Sequence, residues 1–485
     1  MQGNRRGRRS AIGSGLLTGL STAAVSGSAA VAGAILSRKF GHGVKTDGFF
    51  AVYAVYLALV LVANVLRVIV LPRFVRARDD SRLPGEVGAW LASLTVFIAP
   101  AVALAIAWPD GIARVLTAGG GARHSATELL PWLVPAAAAQ IYAGLFASAL
   151  AAFDEYQSAA AGFGLGAVAG LALIAALADR GVAAWGWGLA LNGAIAVAVP
   201  LSALVARHGL GRPDAGLGSR LVELGEGIAL PVSLQLMFVV GIRFASGLGV
   251  GKPTTFSYAY LIAAFLVAVT ASSVALVSTV PFARAGFAPE RVARHVLAAS
   301  WLSLVPVVAA VGVFALAGQT IVRWALGSAY GGGTGHELGR IVAYLSPWIV
   351  ASVGVSIAFP LVFVRGRARF LPLIAGGALA VHVLVEWGGR AAFGLAGLAG
   401  GLAVTAALVL VTILAWLGAL TATLRGLVVA AAACGGVALV GFGLPRIVLH
   451  PLPAAAVGLV LYSVVMLAWR PPGLRAAWSY VRALY

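Results

Sequence analysis

Apolar segments long enough to cross a lipid bilayer recur from one end of the chain to the other, separated by short polar or Gly- and Pro-containing breaks. Because about 20 apolar helical residues span the hydrocarbon core, each segment predicts a transmembrane α-helix. Fourteen helices are predicted, at about 11–36, 49–71, 86–108, 127–153, 155–178, 182–206, 221–245, 253–280, 291–318, 337–363, 369–388, 392–421, 425–444 and 451–469. The pattern is therefore typical of an all-α polytopic membrane protein.

Composition agrees with this prediction and excludes several functional classes. The 485 residues are 61% hydrophobic and only 10% charged, whereas soluble domains are about a quarter charged. The net charge of +19 does not indicate nucleic-acid binding, because the basic residues lie in short segments between predicted helices, where they set topology. The sequence contains no nucleotide-binding motif, catalytic triad or cluster of metal ligands, and its one cysteine, Cys434, lies in an apolar run. We therefore expect no enzyme activity, no metal and no resident cofactor.

The distribution of basic residues predicts the orientation of the chain. A cytoplasmic amino terminus puts most of the 34 lysines and arginines on the cytoplasmic side, as the positive-inside rule requires. We expect both termini in the cytoplasm of a bacterial cell, and hence an even number of spans in its cytoplasmic membrane.

An internal repeat predicts two lobes. Residues 46–77 and 254–285 each begin with Thr and aromatic residues, continue as an apolar run and end with Pro, Phe, Arg and Ala. They are the second and eighth predicted helices, so the two copies share one orientation and indicate a parallel pseudo-repeat of six-helix lobes. We predict an N-lobe at 1–207, a C-lobe at 208–421, and two further helices with an interfacial tail at 422–485.

The segment FGHGVKTDGFF (Phe40 to Phe50) resembles the one that follows the first span in the MurJ/MviN family of lipid II flippases, within the MATE-like exporter superfamily. Further resemblances occur in family order at 230–235, 254–260, 362–372 and 393–399. The resemblance implies a carrier that moves an undecaprenyl-linked sugar across the membrane by alternating access, with a cationic cavity between the lobes. Charged positions of the family are replaced here, for example by Tyr260 and Leu261.

Three functions remain open at this point. The first is a flippase for lipid II or for another polyprenyl-(pyro)phosphate-linked glycan of cell-wall or surface-polysaccharide assembly. The second is a MATE-like, cation-coupled antiporter of small molecules, and the third is a transport-inactive homologue that acts as an assembly partner. The expected partners of a flippase are its lipid-linked glycan and the membrane lipids.

Four residues are candidates for binding the substrate. Arg67, within the second predicted helix, either holds a phosphate or extends to the cytoplasmic surface. Asp47 and Lys45 open the same helix, where Asp47 either lines the cavity mouth or complements the helix dipole. Arg243, near the outer end of the seventh helix, either binds an anionic head group or anchors the interface.

Two further groups are candidates for ion coupling and substrate entry. His382 and Glu386 share one helical face in the eleventh predicted span. The resemblance puts them where some related flippases bind sodium, so coupling to Na⁺ or to H⁺ stays open. The loop cations Arg365, Arg367 and Arg369 either attract an anionic lipid to a cytoplasmic entrance or only set topology.

Overall fold

The chain folds almost entirely into α-helices in a computed structural model that describes residues 3–212, 216–272, 288–364 and 368–484. Within these ranges there are seventeen α-helices joined by short turns. In chain order they are α1 Gly3–Phe40, α2 Val44–Asp79, α3 Leu83–Ala107, α4 Pro109–Leu116, α5 Gly120–Ala152, α6 Gln157–Leu177, α7 Ala183–His208, α8 Leu217–Ala245, α9 Lys252–Val267, α10 Pro289–Leu326, α11 Gly332–Tyr344, α12 Ser346–Val364, α13 Leu371–Phe393, α14 Leu395–Trp416, α15 Leu420–Val448, α16 Pro451–Trp469 and α17 Pro472–Leu484.

The number of membrane spans agrees with the sequence prediction. By length and composition, thirteen helices of the described chain could each cross a membrane. A fourteenth span results if α11 and α12, which meet at a bend of 44°, are counted together. Each corresponds to one predicted helix, which confirms the all-α polytopic fold. The last part of the eighth predicted span, with the end of the second repeat, lies outside the described residues.

By its internal packing the chain divides into two compact units, Met1–Val239 and Val240–Tyr485. The first unit has a core in which Phe74 of α2, Trp90 of α3 and Ile141 of α5 are buried together. Its helices α2 and α5 approach closely at Gly48, where a Cβ atom would lie 2.7 Å from the Cβ of Ser125. The lobe boundary after residue 207 is predicted from a sequence repeat. Packing does not test a repeat, so this boundary stays a prediction.

Ion pairs attach most of α8 to the first unit. The Nε of Arg73 on α2 donates to Oε1 of Glu223 on α8 at 3.1 Å. Nearby, the buried Arg220 donates from Nη2 to Oε2 of Glu86 at 2.6 Å, and Oε1 of Glu86 accepts a hydrogen bond from Trp90 at 3.0 Å. These contacts explain why the first unit extends beyond α7.

The carboxyl-terminal helix α17 packs against the second unit. The sequence predicts an amphipathic helix lying at the membrane interface, and α17 has the expected mixed composition. One of its faces is buried through Leu474 and Ala477, which join Ala298 and Trp301 of α10 in a hydrophobic cluster. The tail is therefore a docked helix whose opposite face is exposed.

Candidate functional site

Among the described residues of the second unit, the most deeply buried acidic and basic side chains are those of His382 and Glu386 on α13. Both side chains are fully buried, at 0% exposure, and their spacing of four residues puts them on one helical face. The Nε2 atom of His382 lies 3.5 Å from Oε1 of Glu386. Burial of ionisable groups is unfavourable unless they are paired or neutralised, so this pair is the strongest candidate site in the described chain.

The neighbouring helix α14 fixes the orientation of the imidazole. The hydroxyl of Thr405 donates to the backbone carbonyl of Gly401 at 2.9 Å, and Nδ1 of His382 lies 3.2 Å from the same hydroxyl oxygen. Because the hydroxyl hydrogen is used by Gly401, the oxygen accepts from Nδ1–H. This arrangement holds a proton on Nδ1 and directs Nε2 towards Glu386.

The carboxyl group of Glu386 is left without a hydrogen-bond donor among the described residues. Both of its oxygens are buried and neither has a hydrogen-bond partner; Nε2 of His382, at 3.5 Å, is the basic atom that faces them. A buried carboxylate needs a proton, a donor or a cation. The groups that could bind a cation here are one carboxylate, one hydroxyl and one imidazole. These groups can share a proton directly, whereas Na⁺ would need further oxygen ligands from backbone or water. In the described residues, no group of three His, Cys, Asp or Glu side chains could hold a metal ion.

Small residues bring α13 and α14 close enough to form this site. The two helices are joined at Gly394, whose φ of +59° lies in the left-handed region that favours glycine. Just beyond this turn, a Cβ atom at Gly397 would collide with the carbonyl group of Gly389. Further from the turn, Glu386 on α13 lies against Gly401 on α14. One helical turn beyond that contact, His382 lies against Thr405. The site is therefore a product of one tightly packed helical hairpin.

Two features of this site differ from what the sequence suggests. Arg390, four residues beyond Glu386, is a possible neutralising partner by spacing, but its Nη2 donates to the carbonyl of Gly247 at 3.0 Å. Thr405 is not predicted from the sequence as part of the site. It lies on α14 seven residues after Leu398 and therefore on the same helical face as Leu398 and Leu402, which carry no side-chain oxygen. This helical period is the signal that could have identified it.

Arg67 is an exposed residue in the interior of the unusually long helix α2. The 36 residues of α2 extend about 54 Å, well beyond the ~30 Å hydrocarbon core, and Arg67 lies about 18 Å before its last residue. Arg67 is therefore farther from the end of the helix than predicted, because α2 ends at Asp79 and the predicted span ends at residue 71. Within the described chain, no carboxylate lies within 4 Å of the Arg67 side chain.

The other substrate candidates do not cluster with Arg67. Asp47 and Lys45 are in the first turns of α2, about 30 Å along the helix from Arg67. Asp47 is buried, at 4% exposure, whereas Lys45 is exposed and its Nζ lies 5.4 Å from the centre of the Phe40 ring. Arg243 is exposed in the last turn of α8. Asp47 and Lys45 thus occupy one end of α2 and Arg67 its interior.

The predicted entrance cluster is only partly described. Arg365 and Arg367 lie outside the described residues. The guanidinium of Arg369 is exposed and lies 4.8 Å from the centre of the Phe370 ring. The role of this cluster stays a prediction.

Comparison with known proteins establishes a shared fold. No protein-family model matches the chain, and no curated protein sequence matches it. Among solved structures, the lipid II flippase MurJ in an inward closed conformation matches with a TM-score of 0.75 and 12% identity, over 94% of this chain and 99% of that chain.

Transporters of the MOP superfamily are also similar in structure. An inward-facing multidrug resistance MATE transporter has a TM-score of 0.64 and 14% identity, over 83% of this chain and 93% of its own. A MOP superfamily transporter from Pyrococcus furiosus has a TM-score of 0.58 and 14% identity, over 86% and 94% of the two chains. The chain therefore has the polytopic α-helical fold of a lipid flippase and of MATE transporters.

Proposed function

We propose that this protein is a flippase that moves a polyprenyl-(pyro)phosphate-linked glycan precursor across the bacterial cytoplasmic membrane by alternating access, for peptidoglycan or surface-polysaccharide assembly. The observation that carries the proposal is the similarity in fold to lipid II flippase MurJ, which extends over 99% of that chain at a TM-score of 0.75. The match to a multidrug MATE transporter covers less of this chain, 83%, at a TM-score of 0.64.

Arg67 is the residue that we assign to the anionic head group. The exposed Arg67 has no carboxylate within 4 Å in the described chain. A phosphate or pyrophosphate would supply the opposite charge and accept hydrogen bonds in the bidentate geometry that guanidinium groups favour. We therefore assign the phosphate of a lipid-linked cargo to Arg67.

His382 and Glu386 are the residues that we assign to ion coupling. In our proposal the pair binds one coupling cation, H⁺ or Na⁺, because Glu386 has two buried oxygens without a donor and faces Nε2 of His382. The same pair favours a second candidate function, a MATE-like cation-coupled antiporter of small molecules. The two functions differ in cargo and share the coupling residues.

Genetic complementation separates these functions. The chain is expressed in a bacterium whose own lipid II flippase is depleted, with membrane expression verified by immunoblot. Restored growth would support lipid II as the cargo. Failure to restore growth, combined with flipping of another polyprenyl-linked glycan in proteoliposomes, would support a different glycan. Drug resistance without any lipid flipping would favour the antiporter, and absence of both activities would overturn transport altogether.

The Arg67 assignment has its own test. Arg67→Ala should reduce flipping about 10- to 100-fold, the value of a charge-assisted hydrogen bond, while Arg67→Lys should retain part of the activity. Arg76→Ala is the matched control, because Arg76 is an exposed arginine on the same helix whose Nε donates to the carbonyl of Pro72. Equal activities of Arg67→Ala and Arg76→Ala would contradict the assignment.

A further inference from the structure

A cavity of about 750 Å³ lies within the second unit, between α10, α15, the end of α16 and α17. Its walls are mainly apolar and include Leu297, Val429 and Ala433, whereas Arg294 and Arg425 contribute positive charge. Both arginines are exposed, and no described carboxylate lies within 4 Å of either. An apolar chamber with two unmatched cations is complementary to an amphiphile with a negative head group.

The cavity lies at one end of the helices that surround it. Arg294 is the sixth residue of α10 and Arg425 the sixth residue of α15, so each lies about 8 Å inside its helix start. Trp469, also in the lining, is the last residue of α16, a helix of 19 residues and about 28 Å. That length equals the hydrocarbon thickness. The two cations and the tryptophan therefore lie near the level of the lipid head groups.

The helix α17 closes one side of the cavity. The hydroxyl of Tyr480 lies 3.2 Å from Nδ1 of the buried His295, and Gly473 lies directly against the indole of Trp301. Burial raises the pKa of Tyr480, and the nearby positive charge of Arg294 opposes that increase. Arg294 and Tyr480 line the same cavity, so an anion bound there would contact the tail.

An apolar groove continues from the cavity between α15 and α16. Its volume is about 480 Å³, and it shares Ala433 and Trp469 with the cavity. The remaining lining is aliphatic or glycine, including Val437, Leu444 and Val465. A groove of this composition suits an acyl chain and offers nothing to a polar peptide.

We propose that this cavity binds one anionic phospholipid, with its phosphate between Arg294 and Arg425 and an acyl chain in the α15–α16 groove, and that the lipid stabilises the docked tail helix α17. The inference goes beyond the proposed transport function and does not depend on the identity of the cargo. A zwitterionic lipid would present its own cation to the two arginines, so the site discriminates by net charge.

Lipid binding to the purified full-length protein tests this proposal. Native mass spectrometry in detergent measures binding of phosphatidylglycerol and phosphatidylcholine to the wild type, to a double variant Arg294→Gln with Arg425→Gln, and to a control. The control, Arg446→Gln with Arg475→Gln, removes the same charge from two exposed arginines outside the cavity lining. Thermal unfolding without added lipid verifies that all three proteins are folded.

The wild type should bind phosphatidylglycerol more tightly than phosphatidylcholine. The cavity variant should bind phosphatidylglycerol roughly 30-fold more weakly, as expected for two arginines at an anionic lipid, while the control should stay within about 3-fold of the wild type. Equal loss in both variants, or equal affinity for the two lipids, would overturn the proposal. So would displacement of phosphatidylglycerol by an equal concentration of undecaprenyl phosphate, which would assign the site to a polyprenyl carrier.

Discussion

Gly401 is the residue at which the His382–Glu386 site leaves no room for a side chain. A Cβ atom there would lie 2.9 Å from Oε1 and 3.1 Å from the carboxyl carbon of Glu386. At the adjacent Gly400, nothing lies within 4 Å of the corresponding position. The two glycines share one helix and differ in what a methyl group would meet, so they form a matched pair.

Gly401→Ala should displace the carboxyl group of Glu386 and remove cation coupling. Overpacking costs about 1–3 kcal/mol, whereas replacing a helical glycine with alanine gains about 1 kcal/mol, so we expect a net loss of stability of about 0–2 kcal/mol. Gly400→Ala should be neutral or stabilising. Thermal unfolding in detergent measures stability, and transport in proteoliposomes with and without a Na⁺ or pH gradient measures coupling.

The same comparison decides whether the pair is functional. If Gly401→Ala transports as Gly400→Ala does in both gradients, the buried pair has no role in coupling. Glu386→Gln provides a second test, because it retains shape and removes the charge. Its control is Glu128→Gln, since Glu128 is exposed. If transport by these two variants depends equally on the Na⁺ and pH gradients, Glu386 has no role in coupling.

At the residue scale, the sequence predicts two of the three side chains of the site. His382 and Glu386 are four residues apart, so the helical period alone puts them on one face. Thr405 is 23 residues from His382, and its contact depends on the register between two helices. That register results from the close approach of Gly389 and Gly397, which hydrophobic periodicity does not encode.

At the scale of elements, the α13–α14 hairpin is held by glycines that let the two backbones touch. A Cβ atom at Gly397 would overlap the backbone of Gly389. Because backbone atoms cannot move aside as a flexible side chain can, the helices themselves would have to separate. Contacts further along the hairpin, including that of His382 with Thr405, depend on this approach.

Gly397→Ala should therefore be about 1–3 kcal/mol less stable than Gly388→Ala, the usual cost of overpacking in a well-packed interface. Gly388→Ala is the control, because it lies on the same hairpin and nothing lies within 4 Å of its Cβ position. Denaturant or thermal unfolding in detergent measures the difference. Equal stability of the two variants would show that the glycine contact does not determine the register.

The sequence predicts the existence of the helices better than their ends. The second span is predicted to end at residue 71, yet α2 continues to Asp79. Its last turns are polar and are stabilised by contacts that hydropathy does not detect, such as Arg73 with Glu223 and Arg78 with the carbonyl of Ala152. Likewise, the tenth span is bent between α11 and α12, just before Pro347, which lacks a backbone donor and disfavours a continuous helix.

For the whole molecule, repetition in sequence and packing in space divide the chain differently. The repeat predicts that the second lobe begins at residue 208, before α8. In the structure, Glu223 and Arg220 connect most of α8 to α2 and α3, so the first compact unit continues to Val239. A repeat records corresponding segments, whereas packing records which side chains meet, and long-range ion pairs cannot be deduced from the repeat.

The orientation of the whole chain in the membrane is a separate prediction, made from charge. The positive-inside rule puts the segment between α7 and α8 in the cytoplasm and the turn between α15 and α16 outside. Cys434 is the one cysteine of the chain and is buried. A Cys434→Ala background therefore allows single cysteines to be introduced at Leu210 and His450, which are both exposed.

An impermeant maleimide added to intact cells should label His450→Cys at once and Leu210→Cys only after permeabilisation. The physical reason is that the reagent cannot cross the bilayer, so labelling reports the side on which each segment lies. The reverse pattern would show that the chain has the opposite orientation. Labelling of both positions from outside would contradict the count of seven spans from α8 to α15, in which α11 and α12 form one span. An even number of crossings would put the two positions on the same side of the membrane. The charge argument would then fail together with the assignment of α11 and α12 as one span.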